Sequence, residues 1–124
     1  MAISRWKEPL RQKLIQVQSV RTEAGWDGYD ATPISRDTVS AATIFLVSLP
    51  DSIHVPEIVP DPAGEIAFVW KSLHADFLVS VSPETLIFAG ILESNKIHGE
   101  LKFSEKIPSH IEKPLLDYFS HEPN

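Results

Sequence analysis

Three carboxylates and two aromatics are the side chains best suited to chemistry in this chain. Asp27 and Asp30 stand in the stretch Gly25 to Ile34, together with Trp26, Gly28, Tyr29 and Pro33, and Glu65 opens an alternating apolar run. Gathered around a pocket that split their pKa values, Asp27, Asp30 and Glu65 would supply the acid and base of a small hydrolytic enzyme, or the polar anchors of a small-molecule site. The competing role is structural, because loop aspartates commonly accept hydrogen bonds from nearby backbone N–H groups. The structural role is the favoured one for Asp27 and Asp30.

Trp26 and Tyr29 are three residues apart in a segment too rich in glycine and proline to be helix or strand. Large aromatics in loops either pin the loop to the core or touch a partner. An exposed Trp/Tyr pair flanked by aspartates has the composition of an interface hot spot. Trp26, Tyr29, Asp27 and Asp30 are therefore the candidate partner-binding residues.

Other chemistry has less support. The five histidines, His54, His74, His98, His110 and His121, include no i, i+4 pair and no His-Glu-x-x-His run, and there is no cysteine. No Gly-x-Ser-x-Gly elbow surrounds a serine, and the five glycines form no phosphate cradle. The expectation is no metal, no cofactor and no catalytic set.

The chain has 124 residues and a net charge of −6, a size and composition expected of one soluble domain. The charge is uneven: Arg5, Lys7, Arg11, Lys13 and Arg21 oppose Glu8 alone in the first segment, and the rest is strongly acidic. That basic N-terminal patch could meet an acidic partner. The acidic remainder argues against nucleic acid. No apolar run is long enough to span a bilayer and the first residues are polar, so a cytoplasmic location without membrane contact is expected.

These residues must be positioned by helices and strands that the pattern lays out in order. Pro9 to Ala24 reads as a helix with Leu10, Leu14, Val17 and Ala24 on one stripe and Gly25 as its stop. Ser35 reads as the N-cap of a second helix that ends at Pro50, with Val39, Ala42, Leu46 and Leu49 inward. Residues 50–64 carry four prolines among β-branched residues, as an edge strand would, and Asp61-Pro62-Ala63-Gly64 is a turn.

Four further strands are expected: Glu65 to Leu73, Ala75 to Ser82, Thr85 to Leu92 and Lys96 to Phe103. Turns are expected at Ser82-Pro83-Glu84-Thr85 and at Ser94-Asn95. Thr85 to Leu92 is apolar on both faces, which reads as a central strand, whereas Lys96 to Phe103 alternates and reads as half-exposed. Pro108 to Ser120 reads as a short helix whose regular part starts at Pro114. Short connections imply an antiparallel meander. The expected fold is α+β: a sheet of four or five strands with two N-terminal helices and a short C-terminal helix on one face, spanning 1–124 as a single domain.

Gly25-Trp26-Asp27-Gly28-Tyr29, with Ala31, Pro33 and Ser35 after it, resembles a group of small uncharacterised bacterial proteins. The likeness returns at Pro56-Glu57-Ile58-Val59-Pro60-Asp61-Pro62-Ala63-Gly64-Glu65-Ile66 and at Trp70, and it covers roughly residues 20–90. The chain departs from that pattern at Asp30, where glycine is expected, and at Val69, where an acidic residue often precedes the tryptophan. The resemblance implies a bacterial origin and no particular activity.

The reading that follows is a non-catalytic protein acting by protein–protein binding, of inhibitor, antitoxin, immunity or accessory-subunit type, with its partner encoded by a neighbouring gene. The alternative is the small-molecule binder or hydrolase using Asp27, Asp30 and Glu65. A third reading is a homo-oligomer formed through the proline-rich edge strand.

Overall fold

The computed structural model describes residues 5–20 and 33–120. The chain runs α1 (Lys7–Val20), α2 (Arg36–Ser48), β1 (Glu57–Pro60), β2 (Ile66–Lys71), β3 (Ala75–Ser82), β4 (Thr85–Leu92), β5 (Asn95–Lys102) and α3 (Ser109–Phe119). The five strands form one antiparallel sheet in sequence order, as the short connections require. The fold is α+β, with two N-terminal helices and one C-terminal helix.

The helices gather on one face of the sheet. Ser35 caps α2, its Oγ accepting from the Thr38 N–H at 3.1 Å, and Asp37 occupies the first turn where the helix dipole favours an anion. Phe45 of α2 meets Phe68 edge-on at 4.9 Å and Phe103 at 5.9 Å. Each such pair adds about 0.5–1.5 kcal/mol beyond area burial. Along the sheet itself, Phe68, Trp70, Phe77 and Phe88 follow one another at centroid spacings of 6.3, 6.1 and 6.2 Å, all buried.

Backbone pairing ties α3 into this layer. The His54 N–H donates to the Phe119 carbonyl at 2.7 Å, and the Trp70 indole N–H donates to the His54 carbonyl at 3.0 Å. The end of α3 and the C-terminal end of β2 are thereby linked through one residue. α3 is continuous from Ser109 with Pro114 inside it, rather than regular only from Pro114. Burial of Ile111, Leu115 and Phe119 on one face holds the helix across the lost N–H.

Two turns differ in how well the sequence marks them. Asp61 organises the β1–β2 turn: its Oδ1 accepts from the Ala63 N–H at 2.7 Å, its carbonyl accepts from the Gly64 N–H at 2.9 Å, and Gly64 takes φ 90°. The β4–β5 turn is Glu93-Ser94 rather than Ser94-Asn95, and Asn95 pairs with Leu92. Glu93 holds φ 59°, a conformation that its residue type does not advertise.

The hydrogen-bond parity of the two sheet edges can be read from the ladders. The Asp61 N–H donates to the Glu65 carbonyl at 2.8 Å, extending the β1·β2 register, so odd-numbered β1 residues bond to β2. Ile58 and Pro60, and Pro56 just before the strand, stand at the positions whose backbone groups face outward. The Phe103 N–H donates to the Glu84 carbonyl at 3.0 Å, extending β4·β5, so odd-numbered β5 residues bond to β4. Lys96, His98, Glu100 and Lys102 therefore present their N–H and C=O groups to the free edge.

Candidate protein-binding surface

Among the described residues no helix lies on the sheet's second face, and its side chains form rows across the strands. Glu57, Val69, Leu78, Ala89 and His98 make one row, Val59, Ala67, Ser80, Ile87 and Glu100 the next, and Lys71, Asp76, Ile91 and Lys96 a third. The centre is largely aliphatic: Val59 is 39 % exposed, Ile87 41 % and Ile91 45 %, with Val69, Leu78 and Ser80 half-buried and Ala67 buried beside them. Ionic side chains occupy the periphery.

This face explains the double-sided apolarity of β4. Leu86, Phe88 and Leu92 pack under the helices, while Ile87, Ala89 and Ile91 lie on the open face. The strand is interior to the sheet, as its pattern implies, but the described residues cover only one of its apolar faces. The open-face aliphatics form a candidate surface that the sequence pattern marks only through the continuous apolar run of β4.

A second concavity borders α3 on the helical side. A groove of about 670 Å³ lies between α3 and the β4–β5 pair, with Phe88, Leu92, Ile97, Pro114 and Tyr118 supplying its apolar lining. It exists because α2 lies over β2 and β3 and α3 over β4, which leaves Ile97 and Leu101 of β5 half-buried.

The basic N-terminal patch is taken apart by the fold. Lys7 is only 3 % exposed; its Nζ donates to the Val47 carbonyl at 3.0 Å and the Leu49 carbonyl, and it meets Asp51 Oδ1 at 3.1 Å. All three ammonium donors are thus satisfied at the C-terminal end of α2, where the helix dipole favours a cation. Trp6 joins the same contact, its indole N–H donating to the Asp51 carbonyl at 3.0 Å.

Lys7 is therefore a docking residue of α1 and no member of an exposed surface. Arg11 forms a two-point pair with Glu8 at 2.7 and 3.1 Å, which holds the Glu8 carboxyl below its ordinary range and the guanidinium above its own. Arg5 and Lys13 are left as the exposed cations of the described part of the patch. Arg21 lies outside the described residues.

Trp26, Asp27, Tyr29 and Asp30 also lie outside the described residues. Glu65 is at the β1–β2 turn, half-buried, and its carboxyl is pushed up chiefly by desolvation and then by the charge of Asp61. Among the described residues no group of three or more His, Cys, Asp or Glu could hold a metal ion. His74 and Asp76 lie at the β2–β3 hairpin, where Asp76 stands opposite Lys71 in the ladder.

No protein-family model matches the chain, and neither curated proteins nor solved structures yield a match. No helix among the described residues is long and apolar enough to cross a membrane.

Proposed function

We propose that this chain acts without catalysis, by binding another protein across the open face of its sheet. One observation carries the reading: Val59, Ile87 and Ile91 stay exposed around Val69, Leu78 and Ala89 on a face that no element of the described chain covers. Scattered exposed aliphatics are ordinary, whereas a contiguous set on a flat sheet marks a contact surface. Strand spacing and rise give the five strands a face on the order of 500 Å². Each side of a standard interface contributes about 800 Å² of accessible surface, so this face with its flanks is of the right order.

The chemistry of the face narrows the partner. Lys71, Lys96 and Lys102 stand among Glu57, Asp76, Glu100 and the half-buried Glu65, so the rim mixes both signs with a slight acidic excess. A polyanion has nothing to track here, and the sheet aromatics that could stack bases are buried on the other side. The partner fitting such a face is a protein offering an aliphatic patch with mixed charges at its border. Trp26 and Tyr29 remain the sequence-based candidates for a second contact. A bacterial setting belongs to the same proposal through the motif resemblance, and a cytoplasmic location and an inhibitor, antitoxin, immunity or accessory role are part of it.

Site-specific photocrosslinking in the native host tests it. A crosslinker at Ala89 should capture a discrete partner, one at Val47 on α2 should not, and Ile87→Ser/Ile91→Ser should abolish capture. Equal capture from both positions, or capture indifferent to the double substitution, overturns the reading. Trp26→Ala/Tyr29→Ala in the same assay decides whether the loop contributes.

A further inference from the structure

We infer that two copies of this chain pair antiparallel through β5, joining their five-stranded sheets into one continuous sheet about a two-fold axis at His98. This rests on the edge geometry and not on the protein-binding role proposed above.

Among the described residues nothing pairs with the outer edge of β5, and that edge is complete as a template. Lys96, His98, Glu100 and Lys102 direct their N–H and C=O groups away from β4, as the Phe103 to Glu84 bond and the β4·β5 register establish. No proline interrupts Asn95–Lys102. An edge of this kind adds a strand whenever the side chains of the incoming strand permit it.

Side-chain charge selects the incoming strand and its register. A two-fold axis normal to the sheet keeps like faces together, so each open-face residue meets another open-face residue of the second copy. Centred on His98, Lys96 of each copy stands opposite Glu100 of the other, and His98 meets its counterpart on the axis. Centred on Gly99, Lys96 would stand opposite Lys102 twice. Centred on Ile97, Lys96 would stand opposite His98, and centred on Glu100, the two Glu100 side chains would meet. Opposed unlike charges stabilise a sheet pair and like charges destabilise it, so the His98 register is favoured, the Gly99 and Glu100 registers are penalised, and the Ile97 register gains no ion pair.

The inner side of the edge is compatible with this arrangement. In the His98 register, Ile97 of each copy stands opposite Gly99 of the other. The Phe88 ring lies directly on Gly99, within 2.7 Å of where a Cβ would be. The half-buried Ile97 thus gains an aromatic neighbour. The groove of about 670 Å³ beside α3 is lined by Phe88 and Ile97 and leaves space for aliphatic side chains of the second copy. The open faces of both copies end on the same side of the joined sheet.

Sedimentation velocity of the full chain over a concentration series tests the inference. The wild type should sediment as a reversible dimer. Lys96→Glu and Glu100→Lys should each weaken it by about tenfold or more, and the double exchange should restore it to near the wild-type value. His98→Pro removes only an outward-facing N–H, so the variant should keep its circular dichroism spectrum and sediment as a monomer. A wild type that is monomeric throughout overturns the inference. So does a dimer insensitive to His98→Pro, or a charge exchange that fails to restore association. Ile87→Ser/Ile91→Ser should leave the dimer intact, which separates this test from that of the open face.

Discussion

The two edges of the sheet solve the same problem in opposite ways. At β1, the residues whose backbone groups face outward are Ile58 and Pro60, with Pro56 just before them, so two of the three have no N–H to offer. Neither proline removes a ladder bond, because the bonds to β2 come from the odd-numbered positions. At β5, Lys96, His98, Glu100 and Lys102 all keep their N–H groups on the outside. The short β1 strand is sealed; the long β5 strand is guarded only by charges. Proline blocks every strand that approaches, whereas charge admits any strand with the opposite pattern. A sheet with one closed edge and one selective edge pairs once and stops, rather than growing into a filament.

Packing beneath the two edges should differ as much as their backbones do. Ile58 is 2 % exposed, in contrast with the half-buried Ile97 of β5. Ile58→Ala should cost about 2–4 kcal/mol through lost burial and a residual cavity. Ile97→Ala should cost about 1 kcal/mol in the monomer, because part of that side chain already meets water. Urea denaturation of dilute protein compares the two. Equal losses would mean that β5 is covered as thoroughly as β1, and the contrast would fail.

A smaller effect is expected at Gly99, where the open edge is made thin enough for an aromatic ring to lie on it. A Cβ at this position would stand 2.7 Å from two atoms of the Phe88 ring. Gly99→Ala should therefore cost about 1–3 kcal/mol by overpacking. Combined with Phe88→Leu, the same change should cost much less than the two separate losses added, because the clashing ring is gone. A strictly additive double-mutant cycle would show that the ring does not decide the choice of glycine.

How much of this was legible in the sequence depends on the range of the forces involved. Ser35 and Asp37 announce the start of α2 because capping is local. The alternation of Phe77, Val79 and Val81 against Leu78 and Ser80 defines β3 to the residue, and Asp61 to Gly64 announce their own turn. Helix α1 begins at Lys7 rather than Pro9, since proline is tolerated throughout a first turn whose N–H groups have no intrahelical acceptor.

What escaped was long-range. Lys7 looks like any surface lysine until α2 brings the Val47 and Leu49 carbonyls over it. Periodicity shows that β4 has two apolar faces but not that only one of them is roofed. Hydrogen-bond parity at an edge becomes readable only once the register is known. The candidate open face and the exposed β5 edge are both products of register, which composition does not report.

The smallest predicted effect lies at the turn that fixes the sealed edge. Glu65 faces Asp61 across the β1–β2 turn, and burial together with that neighbouring charge pushes its carboxyl above the ordinary range. An acid with a raised folded-state pKa binds its proton more tightly folded than unfolded. Stability is therefore greatest where Glu65 is protonated in both states. It falls as pH rises from the unfolded-state pKa through the raised folded-state value, and it stays lower by a constant amount above that. Glu65→Gln removes the charge and keeps the shape. Because the group is only half-buried, solvent screening limits the gain at about pH 7 to a few tenths of a kcal/mol. At about pH 3 the two proteins should denature at the same urea concentration, since the wild-type carboxyl is already neutral there. A gain that persists unchanged at low pH would trace the effect to amide hydrogen bonding instead. The turn would then be insensitive to the Glu65 charge, and the sealed edge would be indifferent to the charges beside it.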